Sequence, residues 1–92
     1  MKTVVVQIGN SDDKLKQSEW SQFFEDMARA MDSGNQVHFS GTSRGDAPWQ
    51  NACFVSEFPE ESLPGLINWV SAIGKMWHQD SVAITIGDTK FV

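Results

Sequence analysis

Between Trp20 and Met31 the large apolar residues are Trp20, Phe23, Phe24, Met27 and Met31, with Ala28 beside them. The spacing runs i, i+3, i+4, i+7, i+11, which predicts one amphipathic helix with Glu25, Asp26, Arg29 and Asp32 on its solvent side. Ser18 is placed to cap its start and Gly34 to end it. A second helix is predicted over roughly residues 63–78. Its core stripe is Leu63, Leu66, Ile67, Val70, Ile73 and Trp77; Ser62 is a cap, and Pro64 falls in the first turn, where a missing N–H costs little. His78 closes this helix, where an imidazolium would complement the dipole.

The remaining apolar segments alternate with period two. Residues 3–8, TVVVQI, are β-branched and stop at Gly9-Asn10: a strand, then a turn. NQVHFSGTS sets Val37 and Phe39 against Gln36, His38 and Ser40, a half-buried strand with His38 on the open side. WQNACFVSEF predicts a strand over about residues 49–58, and Val82, Ile84 and Ile86 alternate with Ala83 and Thr85 in a last strand near 81–86. Between the second and third strands lies SRGDAP, where Gly45 permits positive φ, Asp46 favours local bonds and Pro48 fixes its own φ.

The order is β-α-β-β-α-β in a single domain, residues 1–92. Two right-handed crossovers around a hairpin predict the ferredoxin-like α+β arrangement: a four-stranded antiparallel sheet with strand order 4-1-3-2 and two helices on one face. Val4, Val6 and Ile8 then face the helices. Thr3, Val5, Gln7, His38, Ser40, Ala83 and Thr85 face the open side. The phase of the third strand stays open: either Gln50, Ala52 and Phe54 or Trp49, Asn51, Cys53 and Val55 join that side.

Composition narrows the function by exclusion. Forty per cent of the residues are hydrophobic and ten are Trp or Phe, enough aromatic surface to make disorder untenable. Twelve carboxylates against seven Lys and Arg leave a net charge of −5 with no basic cluster, which argues against direct nucleic-acid binding and suits a basic protein partner. Cys53 is alone, so no internal disulfide forms. The apolar run near the start, about five residues, is too short for a signal peptide or a membrane span; the expectation is a cytoplasmic chain with no membrane partner.

No motif names a reaction. One Cys and two His, His38 and His78, do not make a structural zinc site. No nucleophile and base stand in a recognisable motif, so the expectation is no catalytic residues, no metal and no cofactor. In GNSDDK, Asp12 and Asp13 would repel a phosphate, and the spacing is not that of a calcium loop; a solvated turn is expected. The tripeptide Arg44-Gly45-Asp46 sits where the hairpin needs turn residues, which accounts for it without an adhesion role.

Two surfaces and one loop tip remain as candidates for binding protein. The open sheet face carries no charge over its predicted middle, and such faces tend to be covered, often by a second copy. Trp69, Ala72 and Met76 form a shoulder on the second helix, unless the end of the chain, DTKFV, folds over it. Arg44, Asp46 and Trp49 stand at the hairpin tip. The expected function is an acidic protein-interaction module that forms a homodimer. The alternative is a ligand-binding or enzymatic dimer using Val5, Gln7, His38, Ser40 and Thr85 on the open face.

Three stretches, VQIGNSDDKLKQSEW, APWQNACFV and QDSVAITIGDTKFV, cover about half of the chain. In them the sequence resembles small ferredoxin-like proteins of actinobacteria and their bacteriophages. The resemblance implies this fold and a mobile-element setting, in which the module would regulate or block a host protein. It brings no activity and no catalytic residues. Those relatives place Thr or Ser where this chain has Lys16, three residues before Glu19, which would make a capping box; without it the helix start is left open.

Overall fold

Hydrogen bonding joins the period-two segments into one sheet. The computed structural model describes residues Met1–Val92. Its strands β1 (Lys2–Gly9), β2 (Gln36–Thr42), β3 (Asn51–Phe58) and β4 (Ala83–Gly87) lie in the order β2-β3-β1-β4, every neighbouring pair antiparallel. Helices α1 (Gln17–Asp32) and α2 (Leu63–Met76) complete the β-α-β-β-α-β order, α2 led in by a 3-10 turn at Glu60–Ser62. This is the ferredoxin-like α+β fold.

Register decides what is buried. Val4, Val6 and Ile8 pair with Ser56, Phe54 and Ala52 of β3, and Val4 and Val6 also with Ile86 and Ile84 of β4. All of these point to the helices. Trp20, Phe23, Met27, Ala30 and Met31 of α1 and Leu66, Val70 and Ile73 of α2 close the core from above. Phe24, partly buried, packs its ring 5.0 Å from that of Phe54. Each large side chain so buried contributes about 1.5–3 kcal/mol. The phase of β3 is thereby settled: Asn51, Cys53 and Val55 take the open side, and Trp49 lies before the strand.

Ser56 is the one polar residue in this layer whose Oγ is sealed from solvent without a hydrogen-bond partner. An unpaired buried hydroxyl costs about 1–3 kcal/mol, so Ser56→Ala is expected to raise stability by about 1 kcal/mol. A urea denaturation midpoint that moves upward at constant slope is the sign to look for. A lower midpoint would mean that the hydroxyl is bonded after all, to a buried water.

The helix ends differ from expectation for local reasons. Lys16, not Ser18, is the N-cap of α1; its ammonium cannot accept a bond, so only the reciprocal half of a capping box forms, Glu19 Oε1 accepting the Lys16 N–H at 2.9 Å. At the other end Ser33 is the C-cap and Gly34 has no positive φ. Glycine is required there by space: a Cβ on Gly34 would lie 2.6 Å from the Glu57 carbonyl oxygen. Ser62 does not cap α2 through its side chain; its Oγ–H donates to the Pro59 carbonyl. Trp77 is the C-cap of α2 and donates its indole N–H to Asp26 Oδ2 of α1 at 2.9 Å. His78 therefore lies past the helix, with φ 59°, and its carbonyl accepts from Lys14 Nζ. Ile67, expected in the core, is 41% exposed because the buried stripe centres on Leu66, Val70 and Ile73.

The largest correction concerns β2. Its pairing with β3 slips between Val37 and Phe39, so His38 is the extra residue of a β-bulge. Val37 opposite Ser56 faces the helices. Phe39 opposite Val55 faces the open side together with His38, and Ser40 opposite Phe54 turns to the helix side, against expectation. Both Val37 and Phe39 are exposed at this edge rather than half-buried.

Candidate functional site

Asn10 is the residue on which the most developed cavity depends. A Gly-Asn pair after a strand reads as a solvated turn, yet Asn10 is buried. Its Oδ1 accepts the Leu15 N–H at 3.1 Å and its Nδ2 donates to the Leu15 carbonyl at 3.0 Å, so the side chain replaces a paired strand for the buried Leu15. Nδ2 also donates to Gln50 Oε1, and the Asn10 N–H donates to the Gln50 carbonyl. The loop between β1 and α1 is thus clamped to the stem of the β2–β3 hairpin. Gln17 and Gln50 exchange amide hydrogen bonds across the same gap, at 3.2 and 2.8 Å.

Loop and hairpin together enclose a cleft of about 550 Å³, within the range of small-ligand sites. Trp20 and Trp49 line it, with Asp13, Gln17, Arg44 and Gln50. Asp13 holds a left-handed φ of 55°, a conformation that Asp tolerates better than most residues. Ser43 closes the hairpin, its Oγ–H donating to the Trp49 carbonyl while the oxygen accepts the Asn51 N–H. Gly45 shows no positive φ, and nothing lies within 4 Å of where its Cβ would stand, so neither conformation nor space requires glycine there. Arg44 Nη2 lies 3.0 Å from Asp46 Oδ2, so the two charges of the tripeptide face each other. Such an exposed pair is worth under about 1 kcal/mol and offers no receptor its separate charges.

The open face is assembled differently from the expected set. Val5, Gln7 and Thr85 occupy its centre, as the pattern predicts. Ser40 does not belong to it. Phe39 does: the ring lies over Gly41, where a Cβ would come within 2.7 Å of it, and the residue is 55% exposed. A depression of about 270 Å³ opens beside it, walled by Gln7, Asn51 and Cys53 among others. At the opposite end of the strands His38 Nε2 stands 3.3 Å from Glu57 Oε2.

The end of the chain crosses this face instead of covering α2, and it forms no fifth strand. Asp88 binds Lys2 at 3.0 Å, the hydroxyls of Thr89 and Thr3 are hydrogen-bonded, and the Phe91 ring packs 6.1 Å from the His38 ring. Hydrogen bonding to Asp88, and its charge, raise the Lys2 pKa above its ordinary value. The shoulder of α2 is left bare, with Trp69 41% and Met76 63% exposed.

No three His, Cys, Asp or Glu side chains cluster as a metal site would need, and no helix is long and apolar enough to cross a membrane. The hairpin-tip residues were legible in the sequence. Asn10, Gln17, Trp20 and Gln50 were not, because their partners lie far along the chain. A scan against protein-family models finds no match for this chain, and a search of curated proteins finds none.

Proposed function

We propose that the chain is a small, acidic, non-enzymatic protein-interaction module that self-associates through the open face of its sheet. One observation carries this reading. Apart from one end, where His38 pairs with Glu57 and the crossing tail brings Asp88 to Lys2, the strands present no charged side chain on that face, and Phe39 lies exposed upon it. A sheet face left to water normally carries charge, whereas a neutral, semi-apolar one gains by being covered, and two-fold pairing of identical faces is the commonest way. The net charge of −5 favours basic surfaces on any further partner. In the phage or actinobacterial setting that the sequence resemblance implies, this partner is a host protein that the module regulates or blocks, in the cytoplasm.

Sedimentation or light scattering tests the self-association directly. The wild-type chain of 10.3 kDa is expected to show twice that mass. Val55→Lys, which puts a charge in the middle of the face, is expected to give a folded monomer. A monomeric wild type, or a dimer indifferent to Val55→Lys, would remove the reading. The alternative, a ligand-binding or enzymatic dimer, has the oriented His38–Glu57 pair in its favour; it requires that His38→Ala abolish ligand binding while leaving the fold intact.

A further inference from the structure

We propose that the cleft between the β1–α1 loop and the β2–β3 hairpin binds a proline-rich segment of a partner protein in the polyproline-II conformation. This rests on reading the chain as a protein-binding module, but not on its self-association, which uses another face.

The hydrogen-bonding state of the cleft points to this ligand class. Its amide acceptors are already engaged: Gln50 Oε1 takes Asn10 and Gln17, Gln17 Oε1 takes Gln50, and Asn10 Oδ1 takes Leu15; only the exposed Ser11 and Thr42 hydroxyls, each a donor as well as an acceptor, are unspent. Ser43 Oγ is used both as donor and as acceptor. Donors are left over, because each glutamine amide carries two N–H groups and spends one. The Trp20 indole adds another. Trp20 is 6% exposed and lines the cleft, and its N–H has no partner in the chain, unlike that of Trp77. Nor is it sealed away, since Ser56 Oγ alone is a fully enclosed orphan.

Surplus neutral donors beside two indoles call for a ligand rich in acceptors and apolar surface but poor in donors. An anion would meet the Asp13 carboxylate in the lining. A sugar brings a donor with every hydroxyl, and only the Ser11 and Thr42 oxygens are left among the neutral side chains to receive them. A proline segment matches: its residues have no N–H, its carbonyls are free because this helix has no internal hydrogen bonds, and its rings present apolar surface to aromatic walls. It is also pre-ordered, so little conformational entropy is lost on docking. Asp13, with no ion-pair partner in the chain, is placed to take a Lys or Arg beside the prolines.

The test is titration of isotope-labelled protein with a synthetic peptide of about ten prolines carrying one terminal arginine. Amide shifts confined to residues 10–17 and 42–50 are expected, together with a change in tryptophan fluorescence. Trp49→Ala, at an exposed position, is expected to weaken binding at least about tenfold. Trp20→Phe keeps a ring but removes the N–H and is expected to weaken it about as much; if that variant fails to fold, Trp49→Ala decides. Val55→Lys is expected to bind the peptide as the wild type does. No shift at millimolar peptide, shifts elsewhere, or unchanged binding by Trp49→Ala would overturn the proposal, as would binding of neutral oligosaccharides in its place. Peptide binding by a monomeric wild type would remove the self-association and leave this site standing.

Discussion

Asn10→Ala is expected to destabilise the protein by about 2–4 kcal/mol, because it strips both hydrogen-bond partners from the buried backbone of Leu15. The donor and the acceptor would each be left unpaired at about 1–3 kcal/mol, and water entering from the neighbouring cleft recovers part of that. For a domain of this size such a loss lowers Tm by roughly 10–25 °C. Ser11→Ala, next in the chain but exposed, is the control and is expected to change stability by less than about 0.5 kcal/mol. Thermal and urea unfolding of the two variants make the comparison. Equal stability of Asn10→Ala and wild type would show that the clamp between loop and hairpin is not a structural necessity. The Asn10 variant is also expected to blur the cleft, since Gln50 loses its link to the loop.

Gly34→Ala is expected to cost about 1–3 kcal/mol, an unusual penalty for adding one methyl group to a junction that is half-open to solvent. The new Cβ would meet the Glu57 carbonyl at 2.6 Å and the Phe58 ring at 3.0 Å. Neither neighbour is free to yield. The carbonyl already accepts the Asn35 N–H at 2.8 Å, which fixes the chain as it enters β2, and Phe58 is buried. The cost is steric and not conformational, because Gly34 has no positive φ. Gly45→Ala separates the two explanations: nothing lies within 4 Å of its Cβ position and its φ is also not positive. There the substitution is expected to be neutral or to stabilise by up to about 1 kcal/mol, through the unfolded chain. If Gly34→Ala unfolds at the same urea concentration as wild type, the close approach of β3 is not what selects glycine.

The two residues illustrate how far local pattern reaches. Gly34 was legible as a helix end but for the wrong reason, since left-handed closure is the common use of glycine there and close packing leaves no local trace. Asn10 was legible as a turn residue, and its burial was not, because the group that covers it, Gln50, is forty positions away. The hairpin tip of Arg44, Asp46 and Trp49 could be placed from turn chemistry alone. That it faces the β1–α1 loop across a cleft could not.

By itself the sequence determined the six elements, their order, and which side of α1, β1 and β4 is buried. Those follow from periodicity, as side-chain direction in a helix or strand is set by the backbone within a few residues. With the handedness of the crossovers, that was enough for the strand order. The tertiary structure alone decided the phase of β2, where one bulged residue puts Phe39 and His38 on the same face and sends Ser40 to the other. It alone decided the path of residues 88–92 over the open sheet and the joining of Asn10, Gln17 and Gln50 into one cleft. These features depend on pairs of residues distant in the chain, each weak until the fold has already brought them together.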